Sequence, residues 1–289
     1  MVVTVKALAC ELPATLGVPF SRLSVADLRE AAIARGLVAE ISGTTIWRWL
    51  AEDAIRPWCQ RSWIFPRDPD SQTKAARVLD LYGRTWEERR LRPDEYVVCA
   101  DEKTQLQPLS RRHPSTAPRP GVCRRVEHEH ERRGTLAYLA AWDVHRAKPF
   151  GRIERTTGVA PFGRLVDQVM AAQPYRAARR VFWVVDNGCS HRGRAAVERL
   201  AATYPNLVLV HLPIHASWLN QVEIYFSVVA RRVLTPNDFA SLEELAERLL
   251  AFQTHYEKVA VPFDWRFTRQ DLAALLARLA GGDTSRMAA

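Results

Sequence analysis

Arg180-Val181-Phe182-Trp183-Val184-Val185-Asp186-Asn187-Gly188 decides the fold. Five consecutive apolar residues of β-branched and aromatic type read as a buried strand, and Asp-Asn-Gly ends it in a turn. Working outward, Val159 to Ala172 upstream and Arg192 to Thr203 downstream carry helical patterns, and Leu207 to Leu212 is another strand. Ser217 to Leu234 and Ser241 to Lys258 read as long helices. Further back lie Glu95 to Asp101, a short β-prone run ending in acid, and Gly134 to Val144 with Pro149 to Thr157, which suit an antiparallel hairpin. Strands first, then strands alternating with helices, predict a mixed α/β sheet with flanking helices over residues 93–280, followed by a tail at 281–289.

Residues 1–56 read differently, as all-α. Val3 to Leu16 has helical spacing, Ser24 with Asp27 forms a capping signal for a helix ending at Gly36, and Ser42 caps a third helix from Gly43 to about Ala51. Residues 57–92 form a connector broken by Pro57, Pro66 and Pro69, with helical patterns at Ser71 to Tyr82 and Thr85 to Leu91.

The composition is that of an ordinary globular chain, with 47% hydrophobic and 25% charged residues. No apolar run approaches the roughly 18 residues of a membrane span, and no secretory signal is visible. Five scattered cysteines without a C-x-x-C pair argue for a reducing, cytoplasmic setting and against a structural zinc or disulfide scaffold. The net charge of +9 favours a polyanionic partner, although the 36 arginines against 5 lysines partly reflect genome composition.

Two predicted strands end in aspartate. By the period of two, Val97, Cys99 and Asp101 share one face, as do Phe182, Val184 and Asp186. Either acid alone reads equally as a solvated strand end. On the following helix Leu219, Val222, Phe226, Val229 and Val233 form one stripe, and Glu223 sits roughly 80° from its centre. There it can point at the strand ends. Three carboxylates from two strands and a helix suit two divalent cations and phosphoryl transfer.

The blocks Asp101-Glu102-Lys103-Thr104-Gln105-Leu106-Gln107, Val185-Asp186-Asn187-Gly188-Cys189-Ser190-His191 and His215 to Phe226 resemble the three catalytic blocks of DDE transposases. The Trp-Leu-Asn-Gln-x-Glu run is the most distinctive. The resemblance is to the bacterial insertion-sequence 630 family of the mariner-like superfamily. It implies a ribonuclease-H-like catalytic core, with Asp101, Asp186 and Glu223 as catalytic and metal-binding residues. It also implies Mg²⁺ as cofactor (Mn²⁺ in its place), two ions in all. The partners implied are double-stranded DNA, as terminal inverted repeats and target, and a second copy of the chain. His191, His215 and Asn220 are expected to support the triad or contact DNA.

The helical head fits a helix-turn-helix. Ile46, Trp49 and Leu50 face inward, leaving Thr44, Thr45, Trp47 and Arg48 to read bases. Relatives usually carry two such units and this head has room for one, so a missing first unit and poor repeat discrimination are expected. Arg61 and Arg67 are candidates for following the DNA backbone. Residues 108–133 form a Pro- and Arg-rich insertion with a local surplus of four positive charges, in which Arg124 and Arg125 are candidate phosphate contacts. Against a metal-dependent transposase stand two rivals: a non-catalytic DNA-binding protein descended from one, and a stand-alone structure-specific nuclease.

Overall fold

The computed structural model describes residues 1–60, 68–188, 190–191 and 193–280. Its contacts divide them into two compact units. The candidates Arg61 and Arg67 and the 281–289 tail lie outside the described residues.

The first unit holds α1 (Val2–Ala9), α2 (Val25–Ala34) and α3 (Gly43–Glu52) around a core of Val5, Leu8, Leu28, Ile46 and Leu50. Ser24 and Asp27 close a reciprocal capping box on α2, and Ser42 Oγ accepts the Thr45 N–H at the start of α3. Arg29 donates to the Ile41 carbonyl at 2.7 Å, fixing the link between them. The expected first helix is cut short. It ends at Ala9 and gives way to a 3₁₀ turn, Pro13–Leu16, because Pro13 has no N–H for a helical ladder and restrains the residue before it.

The second unit opens with α4 (Ser71–Tyr82), whose Val78, Leu79 and Leu81 are buried. Thr85 to Leu91, expected to be helical, is instead a small hairpin of β1 (Thr85–Trp86) and β2 (Arg89–Arg90). Its two loop residues, Glu87 and Glu88, take φ of 49° and 62°, the conformation of a tight hairpin turn. Such a turn normally announces itself by Asn or Gly, and glutamates hide it.

A five-stranded sheet follows: β3 (Glu95–Leu106), then, beyond the insertion, β6 (Leu136–Asp143), β7 (Lys148–Glu154), β8 (Arg180–Val185) and β9 (Leu207–His211), in the order β7-β6-β3-β8-β9. β7, β6 and β3 are antiparallel, while β3, β8 and β9 are parallel. The insertion carries a two-stranded ladder, β4 (Leu109–Ser110) with β5 (Glu131–Arg132). One sheet face packs α5 (Val159–Ala171) and α6 (Gly193–Thr203) over Val98, Ala100, Trp183 and Val185. The other packs α4, α7 (Val222–Arg232), α8 (Leu242–Glu257) and α9 (Arg269–Ala280) over Val97, Cys99, Phe182 and Val184. This is the expected mixed sheet with flanking helices behind an all-α head. Among the described residues no helix is long and apolar enough to cross a membrane.

Two departures shape the site. β3 does not stop at Asp101 but runs five residues further along β6, with a bulge where Gln105 takes φ of 55°. Nor is Ser217 to Leu234 one helix: Ser217–Leu219 is a 3₁₀ turn, Asn220 is extended, and α7 begins at Val222.

Candidate active site

The parallel register pairs Val97 with Phe182 and Cys99 with Val184. Asp101 and Asp186 each lie two residues beyond the last of these pairs, on neighbouring strands spaced about 4.8 Å apart. By the alternation of β3, Asp101 lies on the α7 side, as Cys99 does. β8 has ended by then and β3 has not, so Asp186 begins the loop that turns away while Asp101 remains within a strand.

Glu223 comes from the first turn of α7. The break at Asn220 puts it there. Asn220 is fully buried, and its amide donates to the Ala100 carbonyl at 3.0 Å, immediately before Asp101. Its Oδ1 faces the Val222 N–H at 3.4 Å. The Tyr82 hydroxyl donates to the Leu219 carbonyl at 2.6 Å, a second clamp from α4. In a continuous helix the Leu219 carbonyl would be engaged along the helix axis and not free for the Tyr82 hydroxyl. Leu219, Val222, Phe226, Val229 and Val233 all reach the core as expected, joined by Tyr225, whose phenol meets that of Tyr138 at 2.9 Å.

Asp186 is held through Oδ1. It accepts from the Gly188 N–H at 2.7 Å and is hydrogen-bonded by the buried His191 Nε2. The His191 ring continues to Ser190 Oγ at 2.9 Å, which donates to Glu102 at 3.1 Å, and the His191 carbonyl accepts from His211. A Cβ on Gly188 would come within 2.9 Å of Asp186 Oδ1 and 3.1 Å of the imidazole, so any larger residue would press on the bond between them. The His191 hydrogen bond, aided by the Gly188 amide, holds the Asp186 carboxyl below its usual range.

Asp101 goes the other way. Burial pushes it from 3.8 up to about 7, with the charges of Asp186, Glu102 and Glu223 adding to the effect and the Glu102 N–H at 2.7 Å opposing it. The influence of Asp186 and Glu223 on Asp101 places all three acids in one electrostatic neighbourhood. Among the described residues no three His, Cys, Asp or Glu side chains are drawn close enough to grip an ion in this geometry. The donor chemistry nonetheless fits a hard divalent cation: three carboxylates, one of them anchored through a single oxygen and another kept uncomfortable by uncompensated neighbouring charge.

His215 is not brought to the triad. It is exposed, at φ of 63°, and among the described residues it makes no hydrogen bond to the three acids. Thr44, Trp47 and Arg48 are exposed on α3, while Thr45 is half-buried with its hydroxyl 2.8 Å from Ser42 Oγ, so it is less free for base reading than the sequence suggested. In the insertion, Arg111 is structural. Its guanidinium donates to the carbonyls of Glu127, His128 and Asn237. Arg124 is about half exposed and lies 3.5 Å from Asp238, and Arg125 is exposed. Glu102, Ser190 and Tyr82 were not legible as site residues, because their roles arise from partners distant in sequence.

Residues 96–246, a segment holding all three acids, match the family of DDE superfamily endonucleases. The chain belongs to that family. Three solved structures share the architecture of this member of the DDE superfamily at low identity. A mariner Mos1 paired-end complex with Mg is 14% identical, with a TM-score of 0.51 over 91% of this chain and 80% of that one. A Mos1 transposase paired-end complex with the left transposon end is 16% identical, with a TM-score of 0.50 over 91% and 78%. The Mos1 strand transfer complex is 15% identical, with a TM-score of 0.50 over 92% and 79%. These likenesses bear out the ribonuclease-H-like core. Among curated proteins none matches in sequence.

Proposed function

We propose that the chain is a transposase of the insertion-sequence 630 family, cutting the terminal inverted repeats of its own element and joining them to target DNA. The observation that carries this reading is the register-matched placement of Asp101 and Asp186 at one sheet end, with the start of α7 tied beside them through Asn220. Two Mos1 structures similar in fold, a paired-end complex with the left transposon end and a strand transfer complex, support DNA as substrate. Asp101, Asp186 and Glu223 would hold two Mg²⁺ ions, or Mn²⁺ in their place; bound there, the ions supply activation of the attacking oxygen and stabilisation of the leaving one. His191 and Gly188 fix one oxygen of Asp186 and leave the other for that task. Asn220 sets where Glu223 enters the site. Thr44, Trp47 and Arg48, with Thr45 at the helix start, read the repeat, and Arg124 and Arg125 contact phosphates. The working form is a homodimer bringing two ends together.

The test is cleavage of flanking inverted-repeat DNA in Mg²⁺. Asp101→Asn, Asp186→Asn and Glu223→Gln should each abolish it while DNA binding stays near wild type. Substantial cleavage by any one removes that residue from the triad. Binding by the wild type with no cleavage would leave a DNA-binding protein only.

A further inference from the structure

The loop between β9 and α7, which leads into the helix that carries Glu223, turns two large apolar side chains to solvent. Ile214 and Trp218 are each 47% exposed, although Ala216 and Leu219 between and after them are buried. The loop is firmly held. Asp68, itself buried and paired with Lys74 at 2.8 Å, accepts the Ile214 N–H at 3.3 Å. The Tyr82 and Asn220 clamps hold its other end. Phe267 meets the Trp218 indole edge-on, with centroids 5.1 Å apart and planes at 88°. An aromatic group fixed in this way loses little further freedom when a partner stacks on it.

The surroundings select the partner. Two residues after Trp218, Asn220 is bonded to the carbonyl preceding Asp101, so the segment that carries the indole is tied to the strand that carries that carboxylate. Lys103, on the Asp101 face of β3, holds its ammonium 5.8 Å from the Phe226 ring centre and supplies positive charge on the same side. A flat apolar surface next to a phosphate-directed site fits a nucleotide. A protein partner would need a continuous patch, with roughly 800 Å² buried per partner, and exposed His215 and Ser217 interrupt this one. Inside an intact duplex both faces of a base are covered by its neighbours, so an interior base can stack on the indole only when unpaired and turned out of the helix.

We propose that Trp218 is a stacking platform for an unpaired base next to the phosphate being cut. This rests on the strand-cutting reading above and adds to it a local opening of the duplex. Binding is measured with a short duplex carrying a single-stranded end, with 2-aminopurine at the first unpaired position, and with the fully paired duplex, both in Ca²⁺. Wild type should prefer the unpaired probe and quench its emission. Trp218→Ala should cut that preference by roughly 5- to 150-fold, the range expected for one stacked base, and abolish the quench. Trp218→Phe should restore most of both, an outcome a purely structural tryptophan would not give. Equal quench and preference in Trp218→Ala, or no preference in the wild type, overturns the proposal. Cleavage in Mg²⁺ is scored separately: a Trp218-dependent quench without cleavage keeps the platform and removes the transposase reading.

Discussion

Asp101→Asn should make the metal-free protein more stable. In the native state burial and three neighbouring acids raise the Asp101 carboxyl to about 7, against 3.8 for an ordinary aspartate. A raised acid binds its proton more tightly folded than unfolded, so stability falls as pH climbs between those two values. Above the window the ionised group costs at most about 4 kcal/mol, taking ~1.36 kcal/mol per unit. Partial solvent access reduces this, and a gain of about 2 kcal/mol is expected for the neutral amide. Asparagine retains the oxygen that accepts the Glu102 N–H, so that contact survives the substitution. For a unit of this size the gain corresponds to roughly 4–8 °C in melting temperature. Thermal melts followed by circular dichroism in EDTA should show it at pH 8 and lose it towards pH 4. Mg²⁺ should then stabilise wild type more than the variant, because the cation neutralises the charge the variant lacks. A variant that melts at or below wild type in EDTA at pH 8, or a gain independent of pH, would refute the reasoning.

Three further outcomes are expected. Asn220→Ala leaves the buried Ala100 carbonyl without its 3.0 Å donor and should cost about 1–3 kcal/mol in urea denaturation, with cleavage falling more than DNA binding. Gly151→Ala should destabilise by about 1–3 kcal/mol in the same melts, since a Cβ there would overlap the Tyr138 hydroxyl and lie 2.5 Å from Gln253 Oε1; an unchanged midpoint would mean this packing yields easily. Arg48→Ala should weaken binding to the inverted repeat more than to random DNA, by ~1–3 kcal/mol of discrimination in gel-shift competition, and equal losses would make Arg48 a phosphate contact.

The sheet was legible because alternation is a local rule. Val97 and Cys99 do share a face with Phe182 and Val184, and the apolar stripe of α7 does reach the core. Hidden were features decided by distant partners. The periodicity of Ser217 to Leu234 is helical throughout, whereas the contacts at the break, Asn220 to the Ala100 carbonyl and Tyr82 to the Leu219 carbonyl, come from residues far off in sequence. Tyr225 lies outside the stripe of Leu219, Val222, Phe226, Val229 and Val233, yet it is buried, with its hydroxyl satisfied by Tyr138 inside the core. The Glu87-Glu88 turn carries no residue that favours positive φ, so tertiary packing, with Trp86 on Phe182 at 4.8 Å, holds what local propensity does not. For the site the three acids were visible as a set. The Glu102–Ser190–His191 chain was not, because it crosses from β3 to the loop after β8.

That difference in strand length divides the labour between two residues of one type. β8 stops, so Asp186 enters a loop where an imidazole and an amide hold it ionised. β3 continues, so Asp101 stays inside a strand, where burial and neighbouring charge keep a proton on it near neutral pH. If these carboxylates hold the proposed divalent cation, Asp186 would meet it already charged and anchored, while Asp101 would have to give up its proton, and affinity should rise with pH through the region near 7. The burial and crowded charge that disfavour an ionised Asp101 would then be relieved by the same cation.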